Sequence, residues 1–150
     1  MASRDSEEFI AILNDHGVRY LLIGAHAVAF HARSRATKDL DVLLDPTPRN
    51  ACRALAAIRD FFGGADLGYT VADLMDPGWI IQLGVAPRCT RFQAAWKNRV
   101  QARFGSVKAH YLGLTDLIRA KEAAGTPQDQ ADVHVLRRAQ QIMRSSRRSR

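Results

Sequence analysis

Two short apolar runs constrain this chain more than any other feature. Val18–Ile23 lies between Gly17 and Gly24, and Asp39-Leu-Asp-Val-Leu-Leu-Asp45 starts in polar–apolar alternation, turns apolar and is stopped by Pro46 and Pro48. Runs this short, closed by glycine and proline, read as strands entering a core. The segments around them carry helical spacing: Phe9, Ile12 and Leu13 within Ser6–His16, the small apolar Ala25–Ala32, and Leu55, Ile58 and Phe62 within Pro48–Phe62. Strands alternating with helices point to an α/β domain rather than an all-helical or all-β one.

The remaining chain continues that alternation. A short helix is expected near Val71–Met75, a strand over Trp79–Val85, a helix over Phe92–Arg99 and a strand over Val107–Leu112. Thr115 reads as the N-cap of a helix over Asp116–Ala124, which Gly125 ends. Pro127–Met143 reads as a last amphipathic helix, with Val133, Leu136 and Ile142 turned inward. The expected fold is α/β (α+β): a short mixed sheet flanked by helices, with a helical C-terminal part. At 150 residues this is one domain, over 1–143, followed by a basic disordered tail over 144–150.

Composition excludes several classes. Cys52 and Cys89 are too few for a disulfide framework and lack metal-site spacing. The first fifteen residues carry Arg4 but also Asp5, Glu7, Glu8 and Asp15, unlike a signal peptide. The longest apolar run, Tyr20–Phe30, is too short to span a bilayer. A cytoplasmic protein with no membrane partner is expected. The net charge of +7 is concentrated: residues 77–115 hold six basic side chains and no acid, and residues 137–150 hold six more and no acid. Such blocks suit a solvated surface or a phosphate backbone.

The chemistry centres on Asp39-Leu40-Asp41. On a strand, residues i and i+2 face one side, so two carboxylates would stand about 7 Å apart. They repel each other, and a hard divalent cation relieves that repulsion; Mg²⁺ is commonly held by one or two carboxylates plus substrate phosphates. Upstream, Val18–Ile23, Gly24-Ala25 and a helix form a strand–turn–helix whose helix N-terminus can take an anion. Gly24 permits close backbone approach. Arg33, Arg35 and Lys38 place positive charge beside the two acids. His26, next to the turn, has a hydrogen bond to offer a phosphate. Phe92, Trp79, Trp96 and Cys52 read as core residues, and His16 and His110 as structural or solvent-facing.

With these residues in view, the segment LLIGAHAVAFHARSRATKDLDVLLD resembles the signature of the DNA polymerase β-like nucleotidyltransferase superfamily. It is most similar to small bacterial nucleotidyltransferase-like proteins, both minimal nucleotidyltransferases and those of toxin–antitoxin systems. IIQLGVAP, FQAAW and LIRAKEAAGTPQDQADVHVL extend the resemblance over about residues 8–140. It implies a nucleotidyltransferase fold in which Asp39 and Asp41 are catalytic and hold two Mg²⁺. It also implies that Gly24 and Ala25 contact the triphosphate of an NTP through their backbone. Arg35 and Lys38 are expected, from proximity, to neutralise phosphate charge. Ala25 lacks the hydroxyl that a serine supplies there in some members. Lys121, Asp129 and Asp132 match a recurrent pattern of the closer relatives, which places Lys121 near the active-site cleft; the local reading is a helix–helix ion pair.

Active members of the superfamily use a third carboxylate on a later strand, and the acid-free stretch 77–115 supplies none. Asp45 lies on the face of Asp41 but about 13 Å along the strand, too far to share a metal. Asp73 and Asp76 are the other acids that could fold back. Two functions follow. One is a Mg²⁺-dependent nucleotidyltransferase moving an NMP to a hydroxyl of RNA (tRNA in particular), of a protein or of a small molecule, with reduced activity. The other is a catalytically degenerate binding module, for example one component of a toxin–antitoxin pair with a partner protein.

Overall fold

Alternate residues of the first strand separate two cores, and the rest of the chain is arranged around that division. The computed structural model describes residues 3–33, 36–76, 80–81 (backbone only) and 92–149. Helix α1 (Arg4–Asp15) leads to β1 (Tyr20–Leu22), α2 (Gly24–His31), β2 (Val42–Leu44), α3 (Pro48–Phe61), α4 (Val71–Met75) and β3 (Ile80–Ile81). Then come α5 (Phe92–Lys97), β4 (Val100–Phe104), β5 (Val107–Tyr111), α6 (Leu114–Ala124) and α7 (Pro127–Arg148). The strands form one mixed sheet in the order β3-β2-β1-β5-β4. Among the described residues only the β1–β5 pair is parallel; Tyr20 faces Leu44 across the antiparallel β1–β2 pair.

Tyr20 and Leu22 of β1, with Val42 and Leu44 of β2, pack on Phe9, Ile10 and Leu13 of α1, Ala54 and Ile58 of α3 and Leu74 of α4. Leu21, Ile23 and Leu43 point the other way. They meet Ala27 and Val28 of α2, Phe92 and Ala95 of α5, Leu117 and Ile118 of α6 and Leu136 of α7. The product is a sheet with helices on both faces, the mixed α/β architecture that the sequence predicts.

Helix ends follow local chemistry. Ser3 caps α1 by accepting from the Ser6 N–H, and Asp5 and Glu7 sit in the first turn. Thr47 caps α3, with Pro48 just inside. Thr126 and Asp129 form a reciprocal capping box at the start of α7. Gly125 closes α6 in the left-handed conformation, as expected.

Several expectations are corrected. The second strand begins at Val42, not Asp39. The Ile23 N–H still donates to the Asp41 carbonyl (3.0 Å), but Gly24 then turns the chain into α2, so Asp39 and Leu40 have no strand partner on β1. Gly113, not Thr115, is the N-cap residue of α6. The last helix continues to Arg148, so the expected disordered tail over 144–150 is helical as far as that residue. Cys52 is exposed rather than a core residue. Strand β4 is not among the expected elements: Val100–Phe104 pairs with β5 through a two-residue Gly105-Ser106 turn, and its alternation of apolar residues with exposed Gln101 and Arg103 is the signal that could have found it. The Glu7 carboxylate fixes that turn by accepting from the Ser106 N–H (3.0 Å) and hydroxyl (2.8 Å), which holds its own pKa low. Trp79, Cys89 and most of the expected strand over Trp79–Val85 lie outside the described residues.

Candidate functional site

The end of β1, the start of α2 and the stretch before β2 meet at one point. Gly24 is the first residue of α2 and has φ +63°, a conformation in which a side chain is strained. A Cβ at this position would also collide with the Asp41 carboxyl, whose Cγ would lie 2.8 Å away. Glycine is therefore required twice, for the turn and for the carboxyl seated against it. No side chain caps α2, whose N-cap residue is Ile23. The amides of its first turn and the positive end of its dipole thus lie beside Asp41.

Asp41 is half-buried and its carboxyl is pushed above the usual carboxylate range. Burial is the main cause, the neighbouring Asp39 charge adds to it, and the Lys121 ammonium opposes both. Asp39 is exposed, and its N–H donates to the Thr37 hydroxyl (3.2 Å). Of the predicted site residues, Gly24, Ala25, Asp39 and Asp41 are thus brought together at the entrance to α2. Lys38 is exposed on the adjoining stretch, and Arg35 lies outside the described residues.

Lys121 reaches this place from α6. Its ammonium bridges Asp129 (2.8 Å) and Asp132 (3.0 Å) on α7. Asp129 also accepts from the Thr126 N–H and hydroxyl, and Asp132 from Gln128. These donors hold the Asp129 carboxyl below its ordinary value in spite of its burial. The local reading of the pattern is the one observed: the three residues are a helix–helix ion cluster, and Lys121 also acts electrostatically on Asp41. The short α6–α7 connection and the i, i+3 spacing of Asp129 and Asp132 are the sequence signals for the cluster.

The remaining acids are engaged elsewhere. Asp45, buried at the far end of β2, accepts from the Gln93 amide (3.2 Å) and lies 3.7 Å from the Arg19 guanidinium. Asp73 belongs to the capping box of α4, which packs beside α3 on the opposite face of the sheet. Asp76 is the exposed C-cap residue of α4. Among the described residues no group of three or more His, Cys, Asp or Glu side chains is placed to hold a metal ion.

The other singled-out side chains have structural roles. His26 is buried, edge-on to Phe104 (4.9 Å), and burial lowers its pKa. His16, at the end of α1, pairs with Asp60 (2.5 Å). Trp96 stacks on Phe92 and lies under the Arg99 guanidinium (3.9 Å), beside the half-buried His110. Phe92 is a core residue, as expected.

Among the described residues no helix is long and apolar enough to cross a membrane. Comparison with curated proteins and with solved structures found no match. A family model described as nucleotidyltransferase of unknown function (DUF6036) matches residues 5–142, most of the chain. The chain belongs to this nucleotidyltransferase family.

Proposed function

We propose that the protein transfers a nucleoside monophosphate from an NTP to a hydroxyl, using Asp39 and Asp41 as ligands for Mg²⁺. The observation that carries this reading is the placement of a half-buried carboxyl, pushed up by burial and then by its acidic neighbour, against an uncapped helix N-terminus. A divalent cation between the two acids would relieve their repulsion. Two aspartates are the hard oxygen donors that Mg²⁺ takes, with water and substrate phosphates completing its shell. When bound, the metal supplies charge stabilisation to the attacking and leaving oxygens.

The protein's own residues supply the rest. In this reading the first amides of α2, at Gly24 and Ala25, donate to phosphate oxygens. Lys38 adds positive charge at the open side, and Lys121, fixed by Asp129 and Asp132, holds a cation near Asp41. An acceptor hydroxyl oxygen attacks the α-phosphorus, the bond to the β-phosphate oxygen breaks, and pyrophosphate leaves with that electron pair. The hydroxyl proton passes to solvent.

Calorimetric titration with the four NTPs, with and without Mg²⁺, tests the site. Binding is expected to require Mg²⁺ and to vanish in Asp39→Asn/Asp41→Asn. Equal binding without Mg²⁺, or full binding by the double variant, overturns the reading. A second reading, a binding module that holds nucleotide without transferring it, is favoured by the lack of a third metal-binding side chain among the described residues. Transfer of label from an α-labelled NTP to an acceptor separates the two.

A further inference from the structure

Helix α7 begins in the ion cluster and continues well past the last residue it buries. Its 22 residues span about 33 Å at 1.5 Å per residue. Asp129 and Asp132 hold Lys121 in its first two turns, and Leu136 is its last buried side chain. From Gln141 to Ser149 every residue is exposed.

The charge along this helix changes sign abruptly. After Asp132 it carries no acid, but it carries Arg137, Arg138, Arg144, Arg147 and Arg148. Arg137, Gln141, Arg144 and Arg148 recur at i, i+4, i+7 and i+11 and form one stripe, with Arg147 beside it. Arg137 pairs with Glu122 of α6; among the described residues Arg138, Arg144, Arg147 and Arg148 make no ion pair. Like charges at this spacing repel one another, and a polyanion laid along the stripe removes that repulsion.

From this pattern we infer that the C-terminal half of α7 is an RNA-binding arm that lays a phosphodiester backbone along the helix toward Asp39 and Asp41. Binding by the arm stands on the charge pattern alone. Delivery of a ribose hydroxyl to the site rests on the transferase reading, and it is what favours RNA, whose terminal ribose offers two hydroxyls. A bilayer is the poorer fit: Ile142 and Met143 are the large apolar side chains of the exposed segment, and a membrane-lying helix needs a broad apolar face.

The test is fluorescence anisotropy of a labelled RNA hairpin with a single-stranded 3′ end, measured over a salt series with the full chain. Arg138, Arg144, Arg147 and Arg148 are changed together to Gln. A control variant removes four charges elsewhere, with Arg49, Arg59, Lys97 and Lys108 changed to Gln. Melting temperatures establish that both variants are folded. The arm variant is expected to bind at least about tenfold more weakly, with a log–log salt slope shallower by about 3–4. The control variant and Asp39→Asn/Asp41→Asn are expected to keep most of the affinity. The last result would preserve the arm even if nucleotide transfer failed. The inference is overturned if the wild type does not bind the hairpin at 100 mM salt, or if the control variant loses as much as the arm variant. It is likewise overturned if duplex DNA of equal length, or vesicles of anionic lipid, bind as tightly as the hairpin.

Discussion

Two aspartates that both feel the Lys121 charge, Asp129 and Asp41, are shifted in opposite directions. Asp129 and Asp132 share the Lys121 ammonium at 2.8 and 3.0 Å, and Thr126 adds two donors to Asp129. The Asp129 carboxyl consequently falls below its ordinary value. Asp41 is seated against Gly24, its neighbour is another acid, and Lys121 reaches it only through space; its carboxyl rises. The residue types are the same. What differs is how burial and counter-charge balance. At Asp129 direct donors outweigh burial, and the acids tie α6 to α7. At Asp41 burial and a neighbouring acid outweigh the more distant Lys121 charge, a balance that is common at binding sites.

The contrast can be tested most directly at the Asp39/Asp41 pair. Asp39→Asn/Asp41→Asn should weaken Mg²⁺-dependent NTP binding by more than about 100-fold, beyond what losing a supporting group alone costs. Calorimetry at fixed Mg²⁺ measures this, and the melting temperature of the variant should not fall.

Breaking the compensated pair should act on stability instead. Lys121→Met leaves two buried carboxylates without their cation, at a cost of about 3 kcal/mol. For a chain of this size that lowers Tm by roughly 6–12 °C. The same variant should raise the Asp41 pKa further, because it removes the one charge that opposes the shift. Thermal unfolding and NMR titration of the Asp41 carboxyl read the two effects.

Gly24→Ala sharpens the comparison by testing what seats Asp41. It introduces backbone strain and a collision with the Asp41 carboxyl, together about 2 kcal/mol or more. Gly125→Ala is the reference. Its φ of +68° is similar, but its nearest neighbour is the Glu122 carbonyl at 3.7 Å, so it should cost only about 1 kcal/mol of strain. Combining Gly24→Ala with Asp41→Gly should recover the difference; unfolding in urea of these three variants and of Asp41→Gly alone checks it.

The smallest effects are in pH dependence, and their signs are opposite. The folded-state pKa of Asp41 is raised above 3.8, so its ionisation penalises folding. Asp41→Asn should therefore stabilise the protein at neutral pH, a gain that is absent at acid pH and grows as pH rises past 3.8. Asp129 is lowered below 3.8, so its stabilisation is full above that value and is lost as pH falls through the lower folded-state pKa. Asp129→Asn should destabilise at neutral pH and converge with the wild type in acid. Denaturation curves between pH 3 and 7 test both.

Much of the site is legible before folding is considered. The Gly24 turn is marked by a glycine closing an apolar run, and the acid pair is marked by its own spacing. What misleads is the extension of the second strand back to Asp39, because pairing depends on where β1 ends and not on the alternation of Asp39–Val42. Strand β4 is legible although it is not among the expected elements: Val100-Gln-Ala-Arg-Phe104 alternates apolar and polar as a half-buried strand does. What chain order does not display is that Glu7 of α1, far away in sequence, fixes its turn to β5.

Some features follow from forces between near neighbours in the chain. These are the two buried strands around α2, the left-handed glycines at Gly24 and Gly125, the capping box at Thr126–Asp129 and the two acids before β2. Only the tertiary structure decided the electrostatics. It set Lys121 between two acids of the next helix and within reach of a third, gave Asp45 to Gln93, and carried α4 with Asp73 to the opposite face. Caps, turns and short strands are fixed by neighbours a few residues away, which the chain order displays. A carboxyl's charge state depends on burial and on whichever cation the fold brings near, and chain order does not display those.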